Sequence, residues 1–549
     1  MAGWASIYPE GMSGTLSMAD PAWWHRAVLY QIYPRSLQDG DGDGVGDIAG
    51  IRRRLDHLVE LGVDALWLSP VFPSPMADFG YDVADYCDID PLFGTLADFD
   101  ALLADSHARG LKVILDLVAN HTSDRHPWFQ ESRAGRGSAK RDWYVWREPA
   151  PDGGPPNNWL SEFGGGAWEY DAASGQYYLH TFLASQPDLN WRNPEMREAM
   201  HEVVRFWLKR GVDGFRVDAI RHLIKDEAFH DNPANPAYRD GDPPDTAVLP
   251  LYTADRPEAH DVIAGLRGVT DEFPDRLLIG ELNLPFEKLA VYYGYNLGGL
   301  HLPFNFALLS APWKARHLAS LIDRYEASLP EGGWPNWVLG NHDKPRIASR
   351  VGDAQAKVAA MLLLTLRGMP TLYYGDEIGM RQVTIPPDRV RDPYELNVPG
   401  LGLGRDGCRT PMQWDASDKA GFTTGDPWLP LGDGHRRLNV ENQRADRTSL
   451  FTLHKRLIAL RRAHPAIAVG DYRPMAAAGE LLLFQRVLGS ERFVVALNLG
   501  GEPFEIDFAK GEVRGRLVLS THGDRDGEPV SAALALRDNE GVVIELGGL

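Results

Sequence analysis

AQAKVAAMLLLTLRGMPTLYYGDE, residues 354–377, reads as one complete structural unit. Residues 354–367 carry helical periodicity, Gly368 supplies a helix stop, and TLYYGDE (371–377) is an apolar run of strand length. A helix feeding a buried strand is the repeating unit of a parallel sheet. Seven more strand runs precede it: AVLYQIY (27–33), DALWLS (64–69), KVILDLV (112–118), GFRVDAI (214–220), LLIGEL (277–282), LPFNF (302–306) and NWVLGN (336–341). Helical stretches separate them, among them IRRRLDHLVEL (51–61) and REAMHEVVRFWLKR (197–210), and Gly62, Gly110 and Gly211 follow helices as stops. This alternation predicts an α/β fold, a (β/α)8 TIM barrel.

Two connections are too long for ordinary loops. Residues 119–189, rich in Trp, Gly, Pro and Asp, are expected to form an inserted subdomain after the third strand. Residues 378–445 make a Gly/Pro/Asp-rich excursion after the eighth. The barrel is then expected over 21–118 and 190–468, ending in the helix SLFTLHKRLIALRRAH (449–464). From 469 to 549 short alternating strands (LLLFQRVL, RFVVALNL, VRGRLVLS) predict a C-terminal antiparallel β-sandwich domain. Residues 1–20 have neither a basic start nor an apolar run of signal-peptide length and read as a loose leader.

The 549 residues hold 56 Lys+Arg against 76 Asp+Glu, a net charge of −20, with no Lys/Arg block. That excludes nucleic acid and an anionic membrane surface as partners. Cys87 and Cys408 are too few for a disulfide framework, and no stretch approaches membrane-spanning length. A soluble cytoplasmic chain, monomer or homodimer, is expected.

In such barrels the reactive groups gather at the carboxyl ends of strands. Asp218 ends GFRVD, Glu281 ends LLIGE, and Asp343 follows NWVLGNH. Three acids at one barrel mouth repel one another and need a functional reason. Two carboxylates flanking a bond suit glycoside hydrolysis, one ionised to attack the anomeric carbon and one protonated for the leaving oxygen. Arg216 shares a strand face with Asp218 and is expected to keep it ionised. Glu281 has no basic neighbour within three residues, and crowding by the other acids is expected to keep it protonated. Asp218 is therefore the expected nucleophile and Glu281 the acid/base.

The same residues carry a resemblance. DLVANH (116–121), GFRVD (214–218), IGEL (279–282) and LGNHD (339–343), in this order, resemble the conserved regions of the α-amylase superfamily, retaining glycoside hydrolase family 13. QPDLN (186–190), GMPTLYYGDEIGM (368–380) and RTPMQW (409–414) resemble its α-glucosidase/oligo-1,6-glucosidase branch. The resemblance implies Asp218 as nucleophile, Glu281 as acid/base and Asp343 as the acid supporting the transition state. It implies that His121 and His342 bond hydroxyls of the terminal glucose, that Asp78 and Tyr81 of DFGYD close the pocket, and that Arg409 partners Asp78, with Arg405 as the fallback. Phe163 and Phe182 are expected aromatic walls. A closed pocket end implies exo action.

Residues 39–47, DGDGDGVGD, place Asp39, Asp41, Asp43 and Asp47 in a glycine-rich loop that can wrap a hard cation through oxygen. Unlike an EF-hand, position twelve is Gly50. The resemblance implies structural Ca2+ or Mg2+ here, with the Val45 carbonyl as a further ligand and no organic cofactor.

In this branch the residue after the nucleophile resembles a linkage marker, Val in α-1,6 enzymes and Ala or Thr in α-1,4 enzymes. Ala219 occupies it. The expected substrates are small α-glucosides: maltose, sucrose and short maltooligosaccharides, with transglucosylation where an alcohol outcompetes water. The rivals are a sucrose isomerase, trehalose synthase or sucrose hydrolase on the same scaffold, an α-1,6-specific oligo-1,6-glucosidase, and a non-enzymatic scaffold. A complete set of acids counts against the last.

Overall fold

The computed structural model describes residues 21–508 and 514–547; the leader expected at 1–20 lies outside the described residues. The strands follow in chain order: β1 (Leu29–Ile32), β2 (Ala65–Leu68), β3 (Lys112–Leu117), β4 (Trp146–Arg147), β5 (Trp168–Asp171), β6 (Gln176–Leu179), β7 (Gly214–Val217), β8 (Leu277–Leu282), β9 (Leu302–Asn305), β10 (Asn336–Val338) and β11 (Met369–Tyr373). Eight of them make one parallel sheet in the order β10-β11-β1-β2-β3-β7-β8-β9, and its edges β9 and β10 come side by side to close the barrel. The small antiparallel sheet β4-β6-β5 lies in the insertion after β3.

Both faces of each barrel strand are buried, which is why the runs read as continuously apolar. Ala65, Trp67, Ile114, Leu277, Ile279, Leu302 and Phe304 fill the interior, while Leu66, Leu68, Leu115, Leu278 and Leu282 turn outward to the helices. At the carboxyl ends this period-two pattern changes chemistry. Asp116 follows Ile114 inward, Arg216 pairs with Asp116 across the β3–β7 ladder, and Glu281 follows Ile279.

Helix boundaries follow local rules. Asp47 caps the helix Ile48–Leu61 by accepting from the Gly50 N–H, and Gly62 ends it at φ 95°. Gly368, at φ 114°, has no room for a side chain, since a Cβ would fall 2.2 Å from the Pro335 carbonyl oxygen. Helix Pro194–Arg210 buries Met196, Met200, Val203, Val204 and Trp207, the i, i+3/i+4 stripe of an amphipathic helix.

The C-terminal strands, between Asp471 and Leu546, form the expected antiparallel β domain, as one sheet of eight strands. It curls around its own core of Leu483, Val494, Leu517, Leu536 and Ile544, and its other face sets Phe484, Phe493, Val495 and Val543 against the barrel core. Among the described residues no helix is long and apolar enough to cross a membrane.

Candidate active site

Arg216 is the centre of the barrel mouth. It is fully buried on β7, with its guanidinium over the Trp67 ring at 4.9 Å. Nη1 reaches Asp116 Oδ1 at 2.9 Å and Asp218 Oδ1 at 2.6 Å, and Nη2 lies 2.8 Å from Glu281 Oε2. One cation thus serves three carboxylates.

Glu281, with no basic neighbour within three residues in sequence, meets this guanidinium in space. The strand register brings Glu281 to the same guanidinium, a closeness that sequence distance hides. Burial acts against the ionisation expected for Asp218. Burial raises its pKa well above the usual carboxylate range; Arg216 opposes this, and Glu281 and Asp116 add to it. Asp116 is likewise pushed up to about 6, by burial first, against Arg216. Burial thus acts against the charge of two of the acids around this one cation, and Arg216 acts for it.

Ala219 takes a left-handed backbone (φ 46°, ψ 35°), rare for a residue with a side chain. The turn aims its N–H at Glu281 Oε2, 3.0 Å away. The two carboxylates are therefore tied both by Arg216 and by the backbone between them.

Beside this centre runs a chain of hydrogen bonds. Gln31 Nε2 donates to His342 Nδ1 (2.8 Å), which leaves the His342 Nε2–H to donate to the Tyr81 hydroxyl (2.6 Å). Tyr81 in turn donates to Asp116 Oδ2 at 3.1 Å, where Trp67 Nε1 also donates. The His342 and Tyr81 rings stack at 5.3 Å. His121 meets the Tyr81 carbonyl (3.1 Å) and Gln186. Burial lowers His121 to about 4 and His342 to about 3, so both are neutral at neutral pH.

Asp343 contrasts with Asp218. Burial works against its ionisation, but the surrounding cations outweigh burial and hold it well below the usual carboxylate range: His342 where it is protonated, and at neutral pH Arg405 and Arg409. Arg409 Nη2 lies 3.0 Å from Asp343 and Arg405 Nη1 3.5 Å.

The partner of Asp78 is Arg405 (2.7 Å), not Arg409. Arg409 is fully buried and its Nε is committed to the His342 carbonyl at 2.8 Å, which turns its fork toward Asp343. Arg405 also pairs with Asp392 at 2.6 Å. Its guanidinium lies 4.8 Å over Phe163, which meets Phe182 edge-on at 5.5 Å and stacks on Tyr394 at 5.2 Å. Asp78, Tyr81, His121, Phe163, Phe182, His342, Asp343 and Arg405 are therefore joined in one network of contacts with Arg216, Asp218, Ala219 and Glu281.

Sequence reasoning missed Asp116 and Asp392. Asp116 was legible as the inward position after Ile114. Asp392, on a loop without periodicity, had no such signal.

At the loop after β1, carboxylate oxygens of Asp39, Asp41 and Asp43 lie within 4.8 Å of one another. Asp47 lies outside this close trio; each of its oxygens accepts one N–H, from Gly40 and Gly50, and keeps a further lone pair. Val45 donates its N–H to Asp43 at 2.7 Å. Burial raises Asp43, helped by repulsion from Asp41 and Asp39. The left-handed Gly42 and Gly44 shape the loop, and Thr423 and Trp428 from the 378–445 excursion close over it. This donor set of hard oxygens fits a divalent cation.

Residues 31–470 match the α-amylase catalytic-domain family model. The chain is 45% identical over 506 residues to a probable α-glucosidase of Rhizobium meliloti, covering 89% of this chain and 92% of that one. It is 40% identical over 517 residues to an oligo-1,6-glucosidase of Parageobacillus thermoglucosidasius, covering 87% and 90%. Among solved structures it is similar to an α-glucosyl transfer enzyme, with 42% identity and a TM-score of 0.91 over 96% of this chain and 100% of the other.

Proposed function

The chain belongs to the α-amylase family and is a glycoside hydrolase, and from that premise we propose a retaining, exo-acting α-glucosidase that releases terminal α-1,4-linked glucose from short oligosaccharides such as maltose. One observation carries this reading: a single guanidinium contacts both Asp218 and Glu281. Two carboxylates on one fork stand a few ångströms apart, which suits the roughly 5–5.5 Å of retaining enzymes better than the 6.5–9.5 Å that an inverting enzyme needs for its water.

In the proposed mechanism Asp218 attacks C1 while Glu281 gives its proton to the leaving oxygen, forming a β-glucosyl ester. Glu281 then takes a proton from water, or from a competing alcohol, which attacks C1 and frees Asp218. The reaction shuttles one proton between solvent, Glu281 and the two sugar oxygens, while Asp218, paired with Arg216 at 2.6 Å, attacks as carboxylate. Asp343, kept anionic, would bond ring hydroxyls as the sugar flattens. Neutral His121 and His342 would bond further hydroxyls. Asp78, Arg405 and Asp392 would close the far end and impose exo action.

Ala219 carries the linkage preference. A methyl side chain beside Asp218 leaves the second sugar the angle of an α-1,4 bond. Maltose is expected to be cleaved with retention and isomaltose at least about tenfold more slowly, about 1.4 kcal/mol in barrier. A panel of maltose, isomaltose, sucrose and trehalose, with product anomers followed by NMR, tests both statements. Faster turnover of isomaltose would refute the linkage, and a sucrose or maltose isomer as main product would favour an isomerase.

Asp39, Asp41 and Asp43, with the Val45 carbonyl and Asp47 completing the set, are proposed to hold Ca2+ or Mg2+. The cation would tie the loop after β1 to the 378–445 excursion and take no part in bond cleavage. Because a ligand of the native state stabilises by mass action, chelation is expected to lower the melting temperature by several degrees. A melting curve unchanged by EDTA and by added Ca2+ or Mg2+ would remove the site.

A further inference from the structure

We infer that Gln31 is a positioning residue: it fixes the proton of His342 on Nε2, so that His342 meets a sugar hydroxyl as a hydrogen-bond donor. The inference rests on the glucosidase reading above and adds to it a residue that acts through His342. Gln31 is fully buried on β1, in register with Trp67 on β2 and Tyr373 on β11, two residues after the inward Leu29.

The two sides of the His342 ring agree on one tautomer. On the Nε2 side stand two acceptors. The Tyr81 hydroxyl, 2.6 Å away, has its own proton engaged by Asp116 Oδ2 at 3.1 Å, an oxygen that also takes the Trp67 N–H. Asp343 Oδ2 lies 3.4 Å away, and Arg405 and Arg409 hold that acid ionised. A nitrogen facing two acceptors carries the proton. His342 is neutral, so Nδ1 is then bare and needs a donor. Gln31 Nε2 supplies it at 2.8 Å, and the Ser69 hydroxyl, 3.4 Å from the same nitrogen, is its other acceptor. This placement leaves Gln31 Oε1 without a partner among the described residues. A buried carbonyl left so costs stability, which a methionine of similar shape would not incur. The glutamine is explained by the nitrogen it serves.

The choice of tautomer matters at the reacting sugar. A hydroxyl has a single proton to give. Between the Asp343 carboxylate and an Nε2–H, it donates to the first and accepts from the second. Between Asp343 and a bare Nε2, it would leave one of two acceptors unpaired. The difference grows in the transition state, where such bonds tighten.

The test measures kcat and KM of the full-length protein on maltose across pH, beside thermal melts. Gln31→Met keeps the shape and removes the donor. It is expected to lower kcat by about tenfold or more, with a smaller change in KM. In a His342→Ala background the same change is expected to cost less than about twofold, because the residue it acts through is gone. Gln31→Glu gives the sharper signature. Its carboxylate draws a proton to Nδ1 and raises the His342 pKa. Below that new pKa both nitrogens are protonated and activity is kept; above it Nε2 is bare and activity falls, so the pH optimum moves toward acid. No loss from Gln31→Met, an equal loss in both backgrounds, or a Gln31→Glu profile parallel to that of the unmodified protein would overturn the inference. Should these variants fail to fold, nitrogen NMR of the unmodified protein reads the tautomer directly, with His342→Ala identifying the signal. A proton on Nε2 is expected, and one on Nδ1 would overturn the inference. Absence of glucose release from every α-glucoside by the unmodified protein would instead sink the glucosidase reading, and the kinetic role of Gln31 with it.

Discussion

Asp218→Asn is expected to lower turnover of maltose by about four orders of magnitude or more, the scale on which removal of a nucleophile acts. The amide cannot form the glycosyl ester. The fold is expected to survive for a reason visible around Arg216. Stripping a buried cation of its only partner costs about 3–5 kcal/mol. Here Asp116 at 2.9 Å and Glu281 at 2.8 Å remain, and asparagine keeps an oxygen for Nη1. Steady-state kinetics beside a thermal melt separates the two effects. Near-native turnover would show that another group attacks C1, and collapse of the melt would show that Asp218 holds the barrel together.

Glu281→Gln tests the other half of the pair, and its signature is selective. With maltose the leaving oxygen needs a proton, and loss of general acid help is expected to cost about 10²–10⁴-fold. A dinitrophenyl α-glucoside leaves without one, so glucosylation should be spared. The second step still lacks its base, so the ester accumulates and phenolate appears as a burst of about one equivalent per site. The substituted amide can keep an oxygen toward the Ala219 N–H, which limits structural disturbance. Equal losses on both substrates, without a burst, would count against Glu281 as the acid.

The barrel was legible because its strands are buried on both faces and its helices on one, patterns that survive without any knowledge of neighbours. GFRVD and LLIGE announced reactive groups because polar residues ended apolar runs. What could not be read was pairing across the sheet. The lateral register that brings Glu281 to Arg216 is a property of the closed barrel, and so is the bond from Tyr81 to Asp116. Arg405 and Arg409 are four residues apart in one loop, and only the commitment of Arg409 to the His342 carbonyl decides which of them meets Asp78. The charge environment of Asp218 was hidden for the same reason. It is set by burial and by Arg216, Glu281 and Asp116 together, and of these three adjacency along the chain supplied only Arg216.

Asp392 and Arg405 stand on the 378–445 segment, which contributes no strand to the barrel. On the proposed reading, the bulkhead that would fix how many sugar units fit is largely separate from the machinery that would break the bond. Editing this segment, together with Asp78 after β2, would open or shorten the berth, and the strands that carry Asp218 and Glu281 need not change at all.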